Sequence, residues 1–148
     1  MAAAELIARK FRAKFGSEPL VLASAPGRVN LVGDHTDYND GFAMPMAINR
    51  RLTVAVSPRG DDRVVAYAES FGEQREVHLG ASGGVGARQW SDYVLAVFRA
   101  FMAERPLTGM SVYISSGVPI GAGVSSSAAL EIALPRAIPG ATGVPWGP

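Results

Sequence analysis

The stretch "MSVYISSGVPIGAGVSSSAALEIAL", residues 110–134, constrains the fold more than any other part of the chain. Met110, Val112 and Ile114 alternate with Ser111, Tyr113 and Ser115, the period-two pattern of a half-buried strand. Gly121 and Gly123 then turn the chain, and a serine cluster leads into an alanine-rich run of helical composition. This order admits two readings. One is an ordinary strand-to-helix turn with serine caps. The other is an anion cradle, in which the glycines allow close backbone approach and a helix starting near Ser125 offers its unpaired N–H groups and positive dipole end. The loop is not a Walker P-loop, since no Gly-Lys-Ser/Thr follows. It is not a dinucleotide fingerprint, since Ser126 holds the third glycine position, and it is not a nucleophile elbow, since the closing glycine is missing.

The remaining pattern predicts a sheet with helices. Leu6, Ile7, Phe11 and Phe15 recur near helical spacing and Gly16 follows as a stop, so a leading amphipathic helix is expected. "PLVLASAP" reads as a short buried strand and "FAMPMAINRRLTVAVSP" as a longer one, with Pro45 marking an edge or a bend. "RGDD" is turn chemistry, and "RVVAYAE" and "REVHL" form a strand pair joined through "SFGEQ". Residues 80–86 read as a loop. Trp90, Tyr93, Val94, Val97, Phe98, Phe101 and Met102 follow helical spacing up to Pro106. That spacing makes helix core the better reading of Trp90, with stacking on a ligand as the alternative.

Composition narrows the function classes. At 148 residues the chain has the length of one domain. Net charge is +1 and charged residues make up 18%, below the roughly 25% of average domains, so no broad electrostatic footprint for nucleic acid is present. The absence of cysteine excludes disulfides, thiolate metal sites and a cysteine nucleophile, and makes a reducing, cytoplasmic home the default. No apolar window approaches a membrane span, and the N-terminus is too charged for a signal peptide.

Between the first two strands lies "GRVNLVGDHTDYNDG", which sets an arginine, a histidine, two asparagines and three aspartates among glycines. Asp34, His35 and Asp37 set more kinds of donor and acceptor at short spacing than a surface loop needs. The plainer alternatives are Asx turns around Gly33 and Gly41, a solvated histidine, and an Arg28 that only pairs within the scaffold. His78 sits in a plain strand pattern and carries no functional expectation.

"PIGAGVSSSAALE" closely resembles the phosphate-loop motif of the GHMP kinases, and "APGRVNLVGDHTDYNDG" resembles the sugar-binding signature of the galactokinases within that family. "WSDYVLAV" is similar to the family's helix between them. The resemblance implies an α+β fold of the GHMP kinase N-terminal type (ribosomal-protein-S5-domain-2-like), with a mixed sheet and helices on one face, incomplete here. It implies phosphorylation of galactose by ATP with Mg²⁺ at the anomeric hydroxyl. Galactose hydroxyls then fall to Asp34, His35, Thr36 and Asp37, with Arg28 near the anomeric oxygen. ATP phosphates fall to Gly121, Ala122, Gly123, Val124, Ser125, Ser126 and Ser127, and Mg²⁺ to Ser127. No nucleic acid, no membrane and a monomer are the accompanying expectations.

Two departures accompany the resemblance. Galactokinases usually place glutamate where this chain has Asp34, one methylene shorter. The family's catalytic aspartate lies downstream of the phosphate loop, and this chain has almost no downstream sequence. A domain over residues 1–134 is expected, with the sugar loop at 26–41 and the phosphate loop at 119–129. After Leu134 the sequence becomes "PRAIPGATGVPWGP", whose proline density argues against helix and whose GC-rich codon usage suggests a truncated or frameshifted reading. Residues 135–148 are therefore expected as a disordered tail.

Overall fold

The computed structural model describes residues 3–36, 38–80 and 89–143. In chain order the elements are α1 (Ala3–Phe15), β1 (Val21–Val32), β2 (Met44–Pro58), β3 (Arg63–Ala68), β4 (Glu73–His78), α2 (Trp90–Glu104), β5 (Met110–Ser116) and α3 (Ser126–Thr142). The strands form one mixed sheet in the order β1-β2-β5-β3-β4. β5 enters between β2 and β3, antiparallel to the first and parallel to the second. The parallel pair requires a crossover, and α2 supplies it.

Alternation divides the sheet into two apolar faces. Leu52, Val54, Val56, Val112 and Ile114 point to the side covered by α2 and α3, where Val94, Phe98, Leu130 and Leu134 pack against them. Ala55 and Tyr113 point the other way, and α1 seals that side with Ile7 and Phe11. The two long helices thus share a face as expected, and α1 takes the opposite one because the central strands are apolar on both sides. At the end of the sheet beside Gly109, "RGDDR" does more than turn the chain. Arg59 donates to both carboxylate oxygens of Asp61, at 2.9 and 2.8 Å, and Arg63 donates to the same carboxylate at 3.0 Å.

The expected helix stop at Leu134 requires correction over residues 135–143, while the rest of the expected tail, residues 144–148, lies outside the described residues. α3 runs to Thr142 through Pro135 and Pro139, and its buried stripe continues past both with Ala137, Ile138 and Ala141. The two prolines stand four apart, so the N–H that Pro139 lacks is the one that would have bonded Pro135, and the losses fall on one strip of helix. Burial on the facing strip offsets them. Gly140 sits where a Cβ would lie 3.1 Å from Val21, which seats this part of α3 on β1. The helix closes at Gly143, at φ +70°, whose N–H donates to Pro139 O at 2.8 Å.

The loop expected over residues 26–41 begins later than residue 26. β1 continues through Gly27 to Val32 with pairing irregularities after Pro26 and after Asn30, so only residues 33–43 form the connection to β2. The first irregularity sets Gly27 opposite three residues of β2, Ile48, Asn49 and Arg50, and the second leaves Leu31 extra on β1, without ending the strand.

Candidate functional site

The glycine-serine loop adopts backbone conformations that ordinary residues avoid. Gly121 and Gly123 lie at φ +73° and +69°, and Ser125 itself is left-handed at φ 58°, ψ 47°. For a residue with a Cβ that conformation costs roughly 1–2 kcal/mol, so the surroundings hold it in place. Ala129 N–H donates to Ser125 O at 3.0 Å, the first bond of α3. By helix geometry the N–H groups of residues 126–128 have no partner within α3. The serine-cap reading fails at Ser125, which makes no side-chain cap hydrogen bond. The loop leaves a helix N-terminus open.

That terminus borders a cleft of about 530 Å³. Leu52, Ile114 and Leu130 form its floor, Gly121 and residues 123–127 one wall, and Phe71, Trp90 and Tyr93 its aromatic rim. The Phe71 and Trp90 rings are stacked 6.2 Å apart with planes 9° from parallel. Trp90 packs against the core, as its helical spacing favoured, and also lines the cleft. Phe71 and Ser70 belong to the β3–β4 turn, which the sequence reading took only as a connector; an exposed aromatic inside a hairpin turn was the available signal. No ionisable side chain other than tyrosine lines the cleft among the described residues.

β1 meets the loop at Gly27 and Arg28. Arg28 N–H donates to Val124 O at 3.1 Å. A Cβ on Gly27 would lie 2.8 Å from that same oxygen and 2.9 Å from Val118, so only glycine permits the approach. The structure therefore brings Arg28 to the glycine-serine loop, with its side chain exposed.

Asp34, His35 and Thr36 lie together in the turn at the far end of the β1–β2 hairpin, all exposed, and none of them lines the cleft. Asp37 lies outside the described residues. Thr36, expected at the substrate, bonds within its own loop. Its Oγ1 lies 2.8 Å from Phe42 O and 3.2 Å from Gly33 O, and its backbone carbonyl accepts from Asn39 N–H and Gly41 N–H. Gly33 at φ +83° and Gly41 both crowd this threonine, so Thr36 is the staple of the turn. His35 is oriented by Tyr38, with Nδ1 and the phenol oxygen 2.8 Å apart. Asn39 Nδ2 donates to His35 O at 2.8 Å, which fixes the backbone beneath the imidazole.

Among the described residues there is no cluster of three or more His, Cys, Asp or Glu able to hold a metal ion. Ser127 offers one hydroxyl oxygen and the cleft lining no carboxylate among the described residues, while a hard divalent cation needs several oxygens, so any magnesium here must arrive with oxygens of its own, such as phosphates. No described helix is long and apolar enough to cross a membrane.

Residues 9–58 match the galactokinase galactose-binding signature and residues 92–147 match the GHMP kinases N terminal domain, the second match carrying past residue 134. The galactokinase of Chloroflexus aurantiacus is 45% identical over 125 residues, which cover 84% of this chain and 32% of that protein. Human galactokinase is 43% identical over 140 residues, covering 88% of this chain and 36% of the relative. The chain thus spans about a third of the length of the curated relatives it matches. Among solved structures, Lactococcus lactis galactokinase complexed with galactose superposes with TM-score 0.70 at 27% identity, over 88% of this chain and 35% of that one. Methanococcus jannaschii mevalonate kinase shares the fold with TM-score 0.74 at 22% identity, over 86% of this chain and 42% of that one. Two separate signatures, a common fold and the meeting of β1 with the glycine-serine loop all agree: the chain belongs to the GHMP kinase family, in its galactokinase branch.

Proposed function

We propose that this chain carries the sugar-reading and phosphate-binding parts of a galactokinase site, whose reaction moves the γ-phosphoryl group of MgATP to the anomeric hydroxyl of galactose. Asp34, His35 and Asp37 read the sugar hydroxyls, while Thr36 holds the turn that presents them. Arg28 stands between the two motifs and offsets charge developing on the transferred group. The N–H groups at the start of α3, with Gly121, Ala122, Gly123, Val124, Ser125 and Ser126 around them, cradle the nucleotide phosphates, and the Ser127 hydroxyl contacts the magnesium that those phosphates bring. The purine lies against the Phe71–Trp90–Tyr93 rim. The hydrogen bond from Arg28 N–H to Val124 O carries the reading, because it joins the sugar strand to the phosphate loop. A cytoplasmic setting goes with this substrate pair.

In the transfer, the anomeric oxygen bonds to phosphorus, the bond to the ADP oxygen breaks, and the hydroxyl proton must pass to a base. The cleft lining contains no carboxylate or imidazole among the described residues, which favours a second reading for the chain by itself: it binds without turnover. Titration calorimetry with galactose and with MgATP, alongside a coupled ADP-release assay, tests both. The expected result is binding of each ligand and no galactose-dependent ADP release. Failure of the folded protein to bind either ligand overturns the site assignment, and turnover at an enzyme's ordinary rate overturns the missing-base argument.

A further inference from the structure

The turn between β1 and β2 brings two aromatic side chains together through its own backbone. Thr36 N–H donates to Gly33 O at 3.2 Å and Asn39 N–H donates to Thr36 O at 3.0 Å, so the chain winds tightly and sets Tyr38 beside His35. His35 Nδ1 and Tyr38 Oη lie 2.8 Å apart, and the rings meet edge to face, with centroids 6.3 Å apart and planes at 84°. Asn39 Nδ2 donates to His35 O at 2.8 Å and braces the backbone under the imidazole. Tyr38 is 70% exposed and belongs to neither core cluster, so its contact with His35 is not a by-product of packing.

A neutral imidazole has one N–H and one bare nitrogen, and a hydrogen bond at either nitrogen decides which is which. A phenol gives its proton more readily than a neutral imidazole N–H does, and a bare imidazole nitrogen accepts better than a phenol oxygen. The favoured arrangement is therefore Tyr38 O–H donating to His35 Nδ1. We propose that Tyr38 is a positioning residue, which fixes His35 in the tautomer protonated at Nε2 and makes the free end of the ring a hydrogen-bond donor. The turn then divides its labour between neighbours: the Asp34 carboxylate only accepts, and His35 Nε2–H only donates. A ligand hydroxyl, which does both, satisfies either group, whereas an ammonium satisfies the carboxylate alone. The ligand class is thus one that brings an oxygen lone pair to His35. That this ligand is galactose rests on the kinase reading above; the tautomer does not.

Nitrogen NMR spectra of the histidine-labelled chain, at about pH 8 where imidazoles are generally neutral, read the tautomer directly. His78→Gln assigns the signals, since His78 is the other histidine. Wild-type His35 should show a protonated Nε2 and a bare Nδ1, and Tyr38→Phe should move the Nδ1 resonance toward that of a ring exchanging between tautomers. The variant should melt with the wild type, because Tyr38 is exposed. Its galactose affinity should fall about three- to tenfold while MgATP affinity holds, because neither His35 nor Tyr38 lines the cleft. The positioning role is overturned if wild-type Nδ1 carries the proton, or if Tyr38→Phe leaves both nitrogen resonances in place. It is overturned too if the variant binds galactose as tightly as a galactose-binding wild type, or if it melts lower and loses both ligands equally, which would make Tyr38 a support of the fold. A wild type that shows the expected tautomer, lost in Tyr38→Phe, yet binds no galactose removes the kinase reading and leaves the Tyr38 assignment standing.

Discussion

Arg28 donates its backbone N–H to the carbonyl of Val124, and that 3.1 Å bond fastens β1 to the glycine-serine loop nearly a hundred residues downstream. Gly27 makes it possible, since any Cβ there would press on the same oxygen at 2.8 Å. Gly27→Ala should push β1 away from the loop at an overpacking cost of about 1–3 kcal/mol. Both a lower melting temperature and weaker nucleotide binding are expected. A melt and ATP affinity equal to wild type would show that the two motifs are not mechanically joined here.

Ser125 provides a test of whether the loop binds anions through its backbone or through hydroxyls. Its left-handed conformation, φ 58°, suits glycine better than serine. Ser125→Gly should stabilise the protein by about 0.5–1 kcal/mol in a denaturant titration. If the open N–H groups of α3 carry the phosphate, ATP affinity stays within about twofold; a loss of tenfold or more would assign the binding to the Ser125 hydroxyl.

The end of α3 yields the sharpest stability prediction. Ile138 and Leu134 are fully buried, on the two sides of Pro135. Ile138→Ala should cost about 2–5 kcal/mol, as for other core truncations, where a loose tail would register nothing. Pro135→Ala should act in the opposite sense by restoring a donor for the carbonyl of Glu131, worth as much as ~3 kcal/mol. Thermal melts of the two variants moving in opposite directions would establish the helix beyond residue 134.

Those two residues also explain where sequence reading succeeded and where it failed. The alternation of Met110, Val112 and Ile114 and the spacing of Val94, Val97 and Phe98 are periodic signals, and both elements form where that spacing predicts. Pro135 and Pro139 carry a local cost that is visible in sequence, whereas the compensating burial of Ala137, Ile138 and Ala141 appears only once α3 lies on β1 and β2. The stripe itself was legible, since it keeps helical spacing from Ala129 to Ala141. At the site, Gly121 and Gly123 showed in sequence that the backbone turns tightly. The aromatic at position 71 in a hairpin turn was a signal, but its stack on Trp90 depends on a contact made through the fold, and the bonds of Thr36 to Gly33 and Phe42 depend on how its own loop closes.

Trp90 allows nucleotide binding to be watched directly. Its ring stacks on Phe71 at the rim of the cleft, so a purine entering there changes its surroundings. MgATP should alter the intrinsic tryptophan emission in a saturable way, and Phe71→Ala should weaken the nucleotide by roughly 1–2 kcal/mol, about tenfold, while leaving galactose affinity unchanged. Equal losses for both ligands would mean that Phe71 supports the fold rather than the purine.

Asp61 sets the acid end of the stability profile. The hydrogen bonds from Arg59, with those from the Arg63 backbone and guanidinium, hold its carboxyl well below the ordinary aspartate value of 3.8 despite the opposing effect of partial burial. A carboxyl depressed in the folded state stabilises the protein above its unfolded-state value and loses that contribution as pH falls toward the folded one. The wild type should therefore keep the Asp61 contribution in full at neutral pH and lose it progressively below about pH 4. Asp61→Asn should melt lower at pH 7, since it leaves two guanidinium groups short of an acceptor, and should show a shallower decline in melting temperature between pH 4 and pH 2. Parallel acid profiles for the two proteins would mean that the Arg59–Asp61–Arg63 cluster forms only a solvated surface contact, and that the turn is held by its backbone bonds, from Gly109 N–H to Asp61 O at 2.7 Å and from Leu79 N–H to Asp62 O at 2.8 Å.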